Sequence, residues 1–255
     1  TKKPFKFLDL FGLYYWQYPG DPIKFNITNK SVTDAVHIIC YLFSNANKNW
    51  ICIDVGANIG AVSVSMTKIV ENGSGIVFSV EADPANIPRL KKNLLLNGFS
   101  TDNVYHFAAV KDDVKEVALK CFPESNGWQT IASKLPSHVL KSDFYEVKVP
   151  AMKMSEFIKE KSLENIDFLK LDIEGAELMV LEDLKPFFRQ KQIKRIIFEV
   201  NEITLNAMGN TAADLFSFWD DLDYDLKEIL KDGSIGDFNT CGYCYGDCIA
   251  IVKDN

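Results

Sequence analysis

The sequence has no run of about 18 apolar residues, so nothing in it reads as a transmembrane helix. It is short of positive charge. Its 28 Lys and Arg stand against 35 Asp and Glu, a net charge of −7, and such a surface repels a phosphate backbone, which argues against nucleic acid as main partner. No secretory signal is expected either: residues 1–11 carry three lysines but neither a long apolar stretch nor a small-residue cleavage site. The first residue is Thr, which suits a processed chain and a piece of a longer one equally. No repeat, low-complexity tract or Pro/Gly/Ser-rich linker divides the chain. With 47% hydrophobic and 25% charged residues in 255, one self-sufficient globular unit is the simplest organisation. Within it, residues 1–49 are expected to give N-terminal strands and a helix packed on the core, and residues 50–255 the main domain.

The cysteines, at 40, 52, 121, 241, 244 and 248, do not make a zinc site on this reading. No His flanks Cys241, Cys244 and Cys248, and Cys248 opens the strand-like run Ile249-Ala250-Ile251-Val252. Reduced thiols in a cytoplasmic protein are the expectation.

What is present is an alternation of short apolar runs and helical periodicity. Residues 50–53, 76–80, 104–110, 168–171 and 195–198 read as strands, while Val62, Met66, Ile69 and Val70, and Ile87, Leu90 and Leu94 behind Pro84, recur at helical spacing. This predicts an α/β fold: a mostly parallel sheet with helices on both faces. After a helix around 211–219, residues 224–230 and 248–252 predict a hairpin-like pair with an antiparallel edge strand. An insertion, 114–150, holds two alternating segments, 117–122 and 144–149, around Asn126-Gly127-Trp128.

Ligands of such sheets bind beyond the carboxyl ends of the strands. Acids stand there four times: Asp54, Glu81, Asp172 and Glu199. The first loop, Asp54-Val55-Gly56-Ala57-Asn58-Ile59-Gly60, is not the G-x-G-x-x-G of dinucleotide sites. Its Asp54 would oppose a pyrophosphate, yet suits S-adenosyl-L-methionine, which carries an ammonium and a sulfonium and no phosphate. Glu81, 21 residues after Gly60, is placed to accept hydrogen bonds from both ribose hydroxyls. The glycines are expected to let the backbone approach the ligand. In 170–177, Asp172 would sit at the rim, and Glu174 and Glu177, three apart, on one helix face.

Taken together, residues 53–60, Glu81-Ala82-Asp83-Pro84, residues 168–177 and Ile197-Phe198-Glu199 resemble the FkbM family of methyltransferases from about residue 50 to 199. The resemblance implies a class I methyltransferase (Rossmann-like) fold with a seven-stranded sheet. It also implies O-methyl transfer, often to a sugar hydroxyl in a glycan or natural product. Cofactor contacts are expected from Asp54, Gly56, Ala57, Asn58, Gly60, Glu81, Ala82 and Ala108. Met154-Ser155 departs from the Leu-Asp pair common in the family.

A sugar hydroxyl needs its proton taken as it attacks, and Asp172, Glu174 and Glu199 are the candidate bases, in that order. His106 and His138 are alternatives as bases, but His106, between Tyr105 and Phe107, reads rather as a packed or surface histidine and His138 as a solvated loop residue. Trp128 and Tyr145 suit sugar stacking or core packing. Asp172 and Glu199 with Asn201 would also be adequate oxygen ligands for magnesium, though nothing in the spacing demands a metal. The competing readings are an NAD(P)-dependent oxidoreductase and a catalytically inactive interaction module.

Overall fold

The apolar runs need cover on both faces, and the sheet that provides it sets where the functional edge lies. The computed structural model describes residues 5–9, 11–17, 25–26, 31–32, 35–122, 129–134, 143–238, 243 and 245–253. Its main sheet runs Val104–His106, Ile76–Glu81, Ile51–Val55, Phe168–Leu171, Arg195–Asn201, Tyr245–Val252, Tyr224–Ile229, Ile235–Asp237. The first five are parallel. Tyr245–Val252 is antiparallel to both neighbours.

The mostly parallel sheet is as expected, with eight strands where seven were anticipated. The last apolar run is not the edge. Cys248, Ile249 and Ala250 are fully buried, so this strand inserts between two others, and the short antiparallel Ile235–Asp237 takes the edge.

Successive residues of the central strands face opposite helix layers. Ile53, Leu169, Leu171 and Phe198 pack with Leu181, Leu184 and Phe188 of the Glu177–Arg189 helix. Cys52, Val77, Phe168, Ile197 and Ile249 pack with Tyr41 and Leu42 of Val36–Asn45 and Val62 and Met66 of Ala61–Val70. On this second face the rows turn polar two residues nearer the functional edge: Asp54, Ser79, Lys170, Glu199 and Asp247.

The run 104–110 is two strands. Val104–His106 stays in the main sheet, then Ala108–Val110 pairs in parallel with 151–153 of Tyr145–Lys153. Glu116–Cys121 pairs antiparallel with Tyr145–Lys153 and carries Gln129–Thr130 on its other side, so the insertion forms a four-stranded sheet of its own with Ala108–Val110. Trp128 and His138 lie outside the described residues.

At the N-terminus, Phe5–Leu8 and Tyr14–Gln17 form an antiparallel pair. It hangs on the Ile87–Leu96 helix through side-chain amides: Asn97 and Asn93 Oδ1 accept from Tyr14 N and Trp16 N, both at 2.7 Å, and Asn93 Nδ2 donates to Ile59 O at 2.7 Å. No helix among the described residues is long and apolar enough to cross a membrane.

Candidate active site

The Ile51–Val55 strand runs into the loop 56–60. Gly56 N and Ala57 N donate to Val80 O at 3.0 Å, Asn58 N to Glu81 Oε2 at 2.6 Å, and Gly60 N to Ala57 O at 2.9 Å. A pyrophosphate is held by loop amides that point at it; these four are engaged within the protein. The glycines also serve the protein's own packing. A Cβ on Gly56 (φ 78°) would fall 1.8 Å from Asp172 O, and one on Gly60 (φ 95°) 2.5 Å from Leu90 Cδ1. The close approach they permit is to a neighbouring strand end and to a helix, where the sequence reading expected a ligand. Gly56→Ala should therefore cost roughly 2–3 kcal/mol in urea unfolding. Gly98→Ala, also at positive φ but with nothing within 4 Å, should cost about 1 kcal/mol. Equal losses would mean that the Gly56 contact yields easily.

Glu81 ends its strand 5% exposed. Besides Asn58 N, its Oε1 accepts from Asp83 N at 2.7 Å. Burial pushes its carboxyl up to about 7 against the lowering effect of those amides. His106, half-buried, lies across the ladder from Glu81 and its Nε2 donates to Ala82 O at 3.0 Å. Ala82 packs against the cluster of Ala108, Leu119, Cys121 and Val149. The two alanines thus mark the seam between the main sheet and the insertion.

Asp54 is fully buried. Ser79 Oγ donates to Ser63 Oγ at 2.8 Å, which donates to Asp54 Oδ2 at 2.6 Å. Lys170 Nζ lies 3.4 Å from Asp54 Oδ1 and 3.1 Å from Asp172 Oδ2, and donates to Gly56 O at 3.1 Å. Desolvation, the largest single influence, would lower its pKa, but Asp172 and Asp54 together outweigh it and hold the ammonium charged.

Glu199 stands opposite Asp247 in the antiparallel ladder, and its Oε2 is buried without a hydrogen-bond partner among the described residues. Burial first, then the charges of Asp172, Glu177 and Asp247, push its carboxyl up to about 9. Asp247 Oδ2 in turn lies 2.5 Å from His37 Nε2. Tyr245, 71% exposed, neighbours this cluster: burial, then Glu199, Asp247, Glu174 and Asp172, raise its hydroxyl pKa.

Glu174 and Glu177 do not share a helix face. The helix begins at Glu177, and Glu174 lies in the preceding turn at φ 56°. Gly175 follows at φ 99°, where a Cβ would come 2.2 Å from Thr204 O. Glu177 braces this turn, its Oε1 accepting from Ile173 N at 2.8 Å, and burial pushes its carboxyl up to about 7.

Asn201 is committed elsewhere: its Oδ1 accepts from Ile203 N at 3.2 Å and caps Glu202–Ala207. Among the described residues no group of three or more His, Cys, Asp or Glu is placed to hold a metal ion. Cys40, Cys52, Cys121 and Cys248 are free thiols, and Cys241 and Cys244 lie outside the described residues. Tyr145 hydrogen-bonds the Cys121 thiol.

Sequence reasoning missed Lys170, His37, Asp247 and the two serines. Lys170 left a signal, one charge inside the apolar run 168–171. His37 and Asp247 left none, since only the tertiary fold joins a helix near one end to a strand near the other.

The family described as the methyltransferase FkbM domain matches over residues 54–226. The chain belongs to that family. Methyltransferase 1 of Beauveria bassiana is 25% identical over 158 residues, 57% of this chain and 62% of that protein. Methyltransferase sdnD of Sordaria araneosa is 28% identical over 166 residues, 56% and 63%. The matched stretch thus spans less than two thirds of either relative. Among solved structures, a methyltransferase FkbM from Methylobacillus flagellatus KT superposes with TM-score 0.51 at 14% identity, covering 84% of this chain and 47% of that one. SMU.776, complexed with SAH, gives 0.50 at 11%, covering 98% and 57%. The fold is the class I, Rossmann-like methyltransferase fold. His37 and Asp247 both lie outside the stretch matched by the FkbM domain.

Proposed function

We propose that this chain is an S-adenosylmethionine-dependent O-methyltransferase acting on a hydroxyl of a sugar, in a glycan or related small molecule. The observation that supports it best is the loop 56–60. Four of its five amides, all but that of Ile59, are engaged by Val80, Glu81 and Ala57, leaving little to cradle the pyrophosphate that a nicotinamide-dependent oxidoreductase would require. Membership of the FkbM domain family supports methyl transfer in particular.

When bound, the cofactor supplies a methyl group on a positively charged sulfur. Asp54, Asp172 and Asp247 around the buried Lys170 leave negative charge in surplus, which favours a cation at this edge. Glu81 accepts from the ribose hydroxyls, while the loop 56–60 with Ala82 and Ala108 shapes the adenosine side. Asp172, whose side chain is 42% exposed, takes the proton of the acceptor hydroxyl. Glu199 holds its own proton up to about 9 and so donates a hydrogen bond instead of acting as base. Glu174 lines the turn beside them. Carboxylates as acceptors and the exposed ring of Tyr245 suit a polyhydroxyl ligand with a stacking face. The free thiols fit a cytoplasmic setting.

Calorimetric titration with S-adenosylhomocysteine tests this reading. Wild type should bind in the micromolar range, and Glu81→Ala should lose about 10–100-fold. Affinity should also rise as pH increases through about 7, because the ionised Glu81 is the better acceptor. NAD binding in its place would make the chain an oxidoreductase, and no binding of either would favour the inactive module.

A further inference from the structure

The turn Glu81–Asp83 and the turn Asp172–Glu174 follow strands on either side of the one that leads into the loop 56–60, and one strand of the insertion touches both. Gln129 Nε2 donates to Asp83 Oδ2 at 3.1 Å, and Thr130 Oγ1 donates to Glu174 O at 3.3 Å. Thr130 is 4% exposed and is fixed from its own side, its Oγ1 accepting from Ala132 N at 3.1 Å. Lys120 Nζ donates to Ala132 O at 2.5 Å, tying this segment back to the next strand.

Packing gives a second line of argument. Cys121 pairs with Gln129 in the ladder and is 2% exposed. It sits close enough to Asp83 and Glu81 that their charges add to burial in raising its thiol to about 11. Ala82 joins the apolar cluster of the insertion. The insertion therefore covers the turn that carries Glu81, and both Glu81 and Asp83 are 5% exposed. A ribose hydroxyl must come within about 3 Å of a carboxylate oxygen to be bound, and one this covered is reached only past the strand above it.

We propose that Gln129–Thr130 is a strap across the cofactor groove, with Gln129 and Thr130 latching its two rims, and that it lets go for S-adenosylmethionine to enter and S-adenosylhomocysteine to leave. This rests on the cofactor reading given above. Gln129 is the stronger latch because its acceptor is a carboxylate.

Stopped-flow binding of S-adenosylhomocysteine to the full chain tests it. Gln129→Ala should speed release about tenfold, and adding Thr130→Val should speed it further, without slowing association. Gln129→Glu, which sets a carboxylate against Asp83, should act in the same direction and stands in should the double variant not fold. Release within about twofold of wild type in all three would overturn the strap while leaving the cofactor site intact. A wild-type chain that does not bind S-adenosylhomocysteine would overturn the cofactor reading and the strap with it.

Discussion

Replacing Lys170 with Met should cost about 3–5 kcal/mol of folding stability, the signature of removing one member of a buried charge cluster. Lys170 is 4% exposed, and its ammonium lies within 3.4 Å of Asp54 and 3.1 Å of Asp172, with the Gly56 carbonyl as its third partner. Met fills nearly the same space, so the loss is electrostatic: Asp54, fully buried, keeps only the Ser63 hydroxyl among the described residues. Lys68 and Glu71 give the contrast. They lie 2.7 Å apart but are 45% and 36% exposed, and Lys68→Met should change stability by less than about 1 kcal/mol. Urea unfolding of both variants checks this, and adding Asp54→Asn to Lys170→Met should restore part of the loss. A cost under about 1 kcal/mol for Lys170→Met would mean that water reaches the cluster, and the argument that it favours a cationic ligand would weaken with it.

Much of this arrangement was legible in the residues, for identifiable reasons. Parallel strands buried on both faces leave continuous apolar runs, so strands could be placed at 50–53, 76–80, 168–171 and 195–198 without the structure. The strand-end acids could be read because each ends such a run. What escaped needed long-range information. Whether the last strand lies at the edge or one place in depends on which surfaces cover Ile249 and Ala250, and a run of apolar residues looks the same in either position. The break at Phe107 is set by Tyr145–Lys153 claiming Ala108–Val110 as partner, some forty residues downstream. Helical spacing placed Glu174 and Glu177 on one face, but Gly175 at φ 99° delays the helix by a turn. The Lys170 cluster was half visible, its acids by position and its lysine only as an anomaly, because a buried cation is recognised by what surrounds it.

Stability should fall as pH rises from about 5 to about 9. Burial raises the carboxyls of Glu81 and Glu177 from the ordinary 4.5 to about 7, and that of Glu199 to about 9. In the unfolded chain all three ionise near the ordinary value. Between that value and about 7 the native state therefore binds more protons than the unfolded one, and each step up in pH favours unfolding. Above about 7 only Glu199 continues the trend, until its own proton is lost near 9. Their contribution is complete below the ordinary carboxyl pKa and gone above about 9. Surface acids do not mask it: Asp214 and Asp232 are held below the ordinary 3.8 by hydrogen bonds from Thr211 and Ser234, so their opposite effect is confined to stronger acid.

Urea unfolding at about pH 5.5, 7 and 9 separates the two stages, and Glu199→Gln should flatten the upper one while leaving the lower. The same proton governs the proposed chemistry. A slope between about 7 and 9 that Glu199→Gln removes would show that Glu199 is neutral at about pH 7, which leaves Asp172, ahead of Glu174, to take the acceptor's proton. A flat profile would show Glu199 already ionised, which makes it a competing base and reverses the roles given to the two acids.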